Sequence, residues 1–531
     1  MRRIFLSIFV VIVGVMGLQA QPASALASDP KLFISADNTF YSYVKGGETL
    51  SASFLRVDQE EPFNTVRGDV TVTIDGPDIE QQKCIIPKDV AIGSGCRFAP
   101  LTATKTGIWK IQFAVPADAK TYNEVSPVVK WGKNLFNWDI TVKSGANEQH
   151  GRTWTERYAI RQPSASSYIH NFVNYYISED GYIYKATSTG YNGQISTLSA
   201  DSIGIRSGNG CVSAYRSTEV SDDKYSPALG ACGNAYKLFF EEPAGELPTK
   251  ASKWDGTSDW VRPNISRPSV SELHFVSDNS SDQQSGTVSF FLRNFIGQYQ
   301  IKIDVDGDGG FDGQDDVVLN QQMKKLSNNL QQIRFDGVDK TGQIIPTTQK
   351  IGIKVEITKV AEIHLVAADV EGRTGGIELT RLSGDNAPTT RLCWNDTELS
   401  SISDALMTKK VDGRDCPDST GGVHEWEYAD FSWGNIRYID DWVYASAKLE
   451  GNNQISYPNE SEVAPAATGK NMIGAFIAIA VVLIATVALI VVLLIRRRSR
   501  KPTGLPIGQD VQPFVQTSSN DDRPPTDNER Y

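Results

Sequence analysis

The stretch "YQIKIDVDGDGGFDGQDD", residues 299–316, carries the reading of the fold. In its first half Ile301, Ile303 and Val305 alternate with Lys302 and Asp304. Period-two alternation marks a half-buried strand, whereas a helix would repeat its apolar positions every three to four residues. The second half is read from Asp304 as position 1. Asp306 is then 3, Asp308 is 5, Gly309 is 6, Gly310 is 7, Asp312 is 9 and Asp315 is 12. These are the ligand positions of a twelve-residue calcium loop, with glycine at the sharp turn and a backbone carbonyl serving at position 7. A hard cation wants six to eight oxygens, and without one these carboxylates repel each other. Position 12 is an aspartate rather than the usual glutamate, so bidentate binding is harder, and the neighbouring Asp316 is the substitute. The expected ligand set is therefore Asp304, Asp306, Asp308, Gly310, Asp312, Asp315 and Asp316. The competing reading is an acidic, glycine-rich turn without an ion. Because a strand leads into the loop, it does not belong to a helix–loop–helix hand. It is expected to stiffen a β-domain rather than to switch it.

The same alternation recurs along the chain. "DVTVTID" (69–75) places Val70, Val72 and Ile74 on one face, and "IWKIQFAV" (108–115) sets Trp109, Ile111 and Phe113 against Ile108, Lys110 and Gln112. "YYISEDGYIY" (175–184) has Asp180-Gly181 between aromatic and β-branched runs, a hairpin signal. Its tyrosines 175, 176, 182 and 184 suggest either a carbohydrate platform or ordinary cross-strand packing, and packing is favoured. The fold class expected is all-β, a series of β-sandwiches. The expected units are 28–145, 146–262, 263–365 with the calcium loop, and 366–456.

The two ends indicate a compartment. "MRRIFLSIFVVIVGVMGLQAQPASALAS" joins Arg2 and Arg3 to an apolar run and alanine-rich cleavage patterns, so residues 1–27 read as a signal peptide. Met472–Ile495 carries no charge and is followed by "RRRSRK". A run of that length crosses the ~30 Å hydrocarbon layer as a helix, and the basic cluster stays cytoplasmic. Residues 457–471 read as a stalk and 496–531 as a disordered cytoplasmic tail, poor in apolar residues. The body between is expected outside the cell.

Cys84, Cys96, Cys211, Cys232, Cys393 and Cys416 form three close pairs in sequence. Outside the cell such spacing favours three local disulfides over zinc, for which no C-x-x-C occurs. Fifteen connectivities are open in principle. The net charge of −11, with no basic stripe in the body, argues against nucleic acid as a partner. None of His150, His170, His274, His364 and His424 lies in a zinc-protease motif, and no nucleophile elbow, P-loop or dinucleotide fingerprint appears. His364 reads as a strand residue. No catalytic residue is nominated, and an enzyme is not the expected reading. Sequons at Asn264, Asn279, Asn395 and Asn459 matter only in a glycosylating host.

"FDGVDKTGQIIP", Phe335–Pro346, resembles the W-D-G-x-D-x-x-G-x-x-V-P segment of FlgD-type immunoglobulin-like domains of bacterial surface proteins. Phe335 replaces the usual tryptophan and Ile345 the usual valine. In that family the preceding strand often ends in a calcium-type D-x-N/D-x-D-G loop, as at Asp304–Asp308. "AEIHLVAADVEGRTGGIELTRLSG" and "HEWEYADFSWGNIRYIDDWVYA" look like segments of large bacterial cell-surface proteins. The resemblance covers about 300–450, under a third of the chain. It implies Ig-like sandwich modules used as stalks or adhesins, and no catalytic residues. The function expected is a single-span surface protein for adhesion or ligand binding, with a glycan, matrix or cell-surface protein as partner and a structural calcium. The alternatives are an envelope component without a ligand and a polysaccharide-acting hydrolase.

Overall fold

The computed structural model describes residues between 26 and 458, apart from 28–31, 60–67, 118–130, 162–169, 192–194, 266, 279–281, 324–325, 327–329, 358, 369, 371, 400–409, 427–436 and 446–448. The signal peptide before Leu26, the stalk beyond Pro458, the run Met472–Ile495 and the tail lie outside the described residues. So do Asn279 and Asn459. Leu26–Ala27 forms a two-residue strand on Trp131–Ser144. Among the described residues the chain is all β, and no helix is long and apolar enough to cross a membrane.

Alternating sequence becomes alternating burial. Val70–Asp75 buries every second residue, and Gly297–Asp304 does so for its first seven. Three sandwich-like bodies result. In the first, Trp131–Ser144, Thr49–Gln59 and Gly95–Thr102 form one sheet, and Asn38–Val44, Gly107–Ala114, Val70–Asp75 and Gln82–Ile86 the other. Phe40 lies 4.7 Å from Trp138 between ring centroids, and Phe113 lies 5.1 Å from Phe136 and 5.5 Å from Phe54. Full burial of such side chains contributes roughly 2–3 kcal/mol each. The Cys84–Cys96 bond ties the two sheets together across this core.

The second sheet of the first body does not stop there. Thr153–Thr155 pairs with Asn38–Val44 on one side and Lys237–Phe239 on the other. The ladder continues through His170–Ile177, Ile183–Tyr191, Ile377–Arg381 and Thr389–Thr390, making one ten-stranded sheet. A six-stranded sheet holds Arg157–Arg161, Ile195–Asp201, Val360–Ala368, Arg437–Ala445, Thr218–Glu219 and Cys393–Trp394. The stretches 146–262 and 366–456, read from the sequence as separate units, thus share both sheets. A boundary at 365/366 would also cut the strand Val360–Ala368. Each stretch alone supplies only part of either sheet, and neither closes a core without the other.

The third body is an insertion in that second one. Leu330–Phe335, Gly286–Arg293, Ser269–Ser277 and Glu450–Gly451 form one four-stranded sheet. Val317–Met323, Gly297–Asp304, Ile351–Ile357 and Gln454–Tyr457 form the other. The chain leaves the second body near Trp260 and re-enters it at Val360. After Arg437–Ala445 it returns to add an edge strand to each sheet of the insert.

Residues 202–236 depart from the sandwich pattern. They cross the outer face of the six-stranded sheet as a flap, pinned by Cys211–Cys232 and by Ile205–Ser207 pairing with Tyr225–Pro227. All nine residues of Val360–Ala368 are buried as a result, on both faces. This strand reads as a near-continuous apolar run for the reason buried strands generally do.

Candidate functional site

The aspartate loop leaves the end of Gly297–Asp304 and returns into Val317–Met323. Carboxylate oxygens of Asp304, Asp306 and Asp316 come within 4.8 Å of one another. Asp304 and Asp316 are buried and Asp306 is exposed. Backbone amides hold them. Asp304 Oδ1 accepts from Gly307 at 2.7 Å and Oδ2 from Gly309 at 2.9 Å. Asp316 accepts from Val305 at 3.1 Å and Gly313 at 2.7 Å. Gly307 has φ +74°, and a β-carbon there would sit 2.8 Å from the Lys350 carbonyl, so glycine is required. Of the other expected ligands, Asp308 accepts from Gly310 N at 2.6 Å and Asp312 from Phe311 N at 3.3 Å. The carboxylates of Asp308, Asp312 and Asp315 do not join the triad. The loop closes on Asp316, because that side chain is buried where the ladder resumes at Val317, while Asp315 is only half-buried. Burial raises the Asp304 carboxyl, the Gly309 and Gly307 amides oppose this, and Asp306 adds to it. Bringing three carboxylates this close favours either a shared proton or a cation. Three carboxylates suit a hard, oxygen-loving ion.

Two buried polar networks lie on the six-stranded sheet, and they use consecutive residues. Asp440 and Asp441 point to opposite faces of Arg437–Ala445, as successive strand residues must. On the flap side, His364 Nδ1 meets Asp440 Oδ1 at 2.9 Å, and its Nε2 lies 3.5 Å from Glu362 Oε1. The Tyr215 hydroxyl donates to Glu362 at 2.5 Å, and Trp442 stacks on His364 at 5.8 Å. The flap seals this pair. Ile205 N donates to Asp440 at 3.3 Å, and the Asp440 amide donates to Ser217 Oγ at 3.2 Å. Gly204 (φ +67°) lies so close that a β-carbon would fall 2.5 Å from both Asp440 Oδ1 and His364 Nδ1. Burial pulls the His364 imidazole down, but Asp440 and Glu362 outweigh it, and the net pKa is raised to about 10.

On the core side, Arg373 Nη1 donates to Asp441 Oδ2 at 2.8 Å. His424 lies between two carboxylates, with Nδ1 2.5 Å from Asp441 and Nε2 2.6 Å from Asp396. Trp394 stacks on its ring at 4.9 Å and 11°. Burial again lowers the imidazole, and Asp396 and Asp441 reverse this to a raised value. Two cations and two anions then balance in the core. Glu362, His364, Asp440, Arg373, Asp396, His424 and Asp441 are all buried, so none of them presents a base or nucleophile to solvent.

Neither network was nominated from the sequence. The available signals were Glu362 and His364 two apart within an apolar run, and two adjacent aspartates in "RYIDDWVYA". His364 is on a strand, as expected, and is fully buried. All six cysteines are paired, 84 with 96, 211 with 232 and 393 with 416. Of the four tyrosines, Tyr176, Tyr182 and Tyr184 are buried, so they do not make an exposed platform. No family model, no curated protein and no solved structure matches this chain, so a FlgD-type module is not identified.

Proposed function

We propose that this chain is a cell-surface binding protein, secreted by residues 1–27, anchored by Met472–Ile495, with its C-terminus in the cytoplasm. One observation carries the reading. Every cysteine sits in a local disulfide of an all-β body, the arrangement that persists in oxidising, extracytoplasmic compartments. Three interlocked β bodies carry connecting loops between their strands, and loops are where recognition resides. The resemblance of Phe335–Pro346 to FlgD-type segments supports an Ig-like assignment for the inserted body. The test is topology. Protease added to intact cells should remove the body and leave a membrane fragment bearing the tail; full protection would overturn the reading. A glycan and matrix-protein array probed with the body addresses adhesion, and an array without any saturable signal would favour an envelope component.

Calcium at Asp304, Asp306 and Asp316 is the second element. At millimolar calcium, the weak affinities usual for extracellular modules give about 0.4–1.4 kcal/mol of stabilisation. Chelation should therefore lower the melting temperature of the inserted body by a few degrees. Asp306→Ala in calcium should melt like the chelated parent. A melt indifferent to calcium sinks the ion and leaves an acidic turn.

A further inference from the structure

The flap does not lie flat on the six-stranded sheet along its whole length. Beyond the sealed His364–Asp440 pair it lifts away and encloses a cleft of about 710 Å³. That is within the range of small-molecule sites, roughly 300–1,000 Å³. The floor is Thr197, Ser199, Val366, Ala368 and Tyr438, and the roof runs from Val220 to Ala235. The roof is held in place. Tyr225 in it is covered by the Arg216 guanidinium at 4.4 Å, and the Cys211–Cys232 bond closes the flap behind it.

Most of the surface is apolar, from Pro227, Leu229, Ala231, Val366 and Ala368. Two guanidinium groups, Arg157 and Arg206, break it. Among the described residues neither joins an ion pair, although Arg152, Arg267, Arg334, Arg373 and Arg414 all do. Arg206 Nε is buried without a hydrogen-bond partner. A buried donor left unpaired is costly, so its retention calls for an acceptor. Burial lowers Arg157, with Asp37 acting on it only electrostatically in the opposite sense. The one carboxyl in the lining is Glu156. Burial raises it, and the cation acting most strongly on it is Lys237, which does not line the cleft.

The geometry points to a ligand site for an apolar molecule carrying one anionic oxygen head group, a carboxylate or a phosphate. The head would bind the Arg157 and Arg206 guanidinium groups, which match such oxygens in forked pairs. The hydrocarbon part would lie along Val366, Ala368 and Tyr438 under the roof. The hydroxyls of Thr197 and Ser199 would receive the remaining head-group oxygens. The site is independent of the calcium loop and of the membrane anchor, and its occupancy needs neither.

The chain up to Asn459 forms one compact unit, so the body can be tested free of lipid. Calorimetric titration with decanoate, decyl phosphate, decanol and decyltrimethylammonium separates head-group charge from chain burial. Decanoate or decyl phosphate should bind saturably with one site, the better of the two naming the head group. Decanol should bind at least tenfold more weakly and the ammonium compound not measurably. Arg206→Gln and Arg157→Gln should each weaken the anion at least tenfold and leave decanol unchanged. Ala368→Trp should abolish all binding, with a retained melting transition showing that the body is folded. Three results would overturn the site: no saturable anion binding, decanol binding as tightly as decanoate, or anion binding that survives Ala368→Trp in a folded body.

Discussion

Replacing Asp441 by alanine should destabilise the second body by about 3–5 kcal/mol, the cost of leaving a buried ion-pair partner uncompensated. Asp441 serves two cations, accepting from Arg373 at 2.8 Å and from His424 at 2.5 Å. Both cations are fully enclosed, so water cannot replace the lost carboxylate. The midpoint of thermal unfolding should fall by on the order of 10 °C for a body of this size. Asp441→Asn should cost less, since one acceptor oxygen remains. The pair Arg373→Met with Asp441→Leu should recover much of the loss, because removing both charges also removes their desolvation penalty. A loss below about 1 kcal/mol for the alanine variant would show that the core network carries no net stabilisation.

Alkaline destabilisation is the second large effect. An exposed histidine in the unfolded chain titrates near 6.5. In the folded protein His364 and His424 both hold their protons to higher pH, His364 to about 10. The folded state therefore binds more protons than the unfolded state above neutrality, and stability falls as pH rises. The contribution is complete below about pH 6.5 and declines by up to ~1.4 kcal/mol per pH unit for each histidine. Asp180 and Asp201, raised to about 6 by burial, have the same sign but act at lower pH and are spent by pH 6. Buried tyrosines such as Tyr176, held above their usual value by burial, enter only above about pH 10. Melting curves between pH 7 and 9.5 thus read the two histidines. His364→Gln should lower stability at pH 7 and flatten the slope by about half. A parent whose melting temperature is constant across that window would mean that both histidines are neutral and the networks uncharged.

How much of this was legible depended on sequence distance. The strands at Val70–Asp75 and Gly297–Asp304 could be read because alternation is local. The disulfides could be read because partners lie 12, 21 and 23 residues apart. The acidic loop was legible as a calcium-type pattern, yet that pattern assumes the path of a helical hand. Between strands the loop follows its own amides, and Asp316 rather than Asp315 turns to Asp304 and Asp306. The flap and the cleft under it left no periodic trace, since 202–236 contains only short strands.

The order of polar and apolar residues by itself determined that this is a β protein with paired cysteines, because side-chain period and local closure are properties of neighbouring residues. Only the tertiary structure decided which strands share a sheet. Ile183–Tyr191 pairs with Ile377–Arg381 almost two hundred residues away, with the third body inserted between them. Backbone amides pair alike with any extended partner, so sheet membership follows from which faces must be covered together. The same covering turned the strand residues His364, Asp440 and Asp441, together with the loop residue His424, into buried, mutually neutralising charges, since a carboxylate or imidazolium is tolerated away from water only beside its opposite.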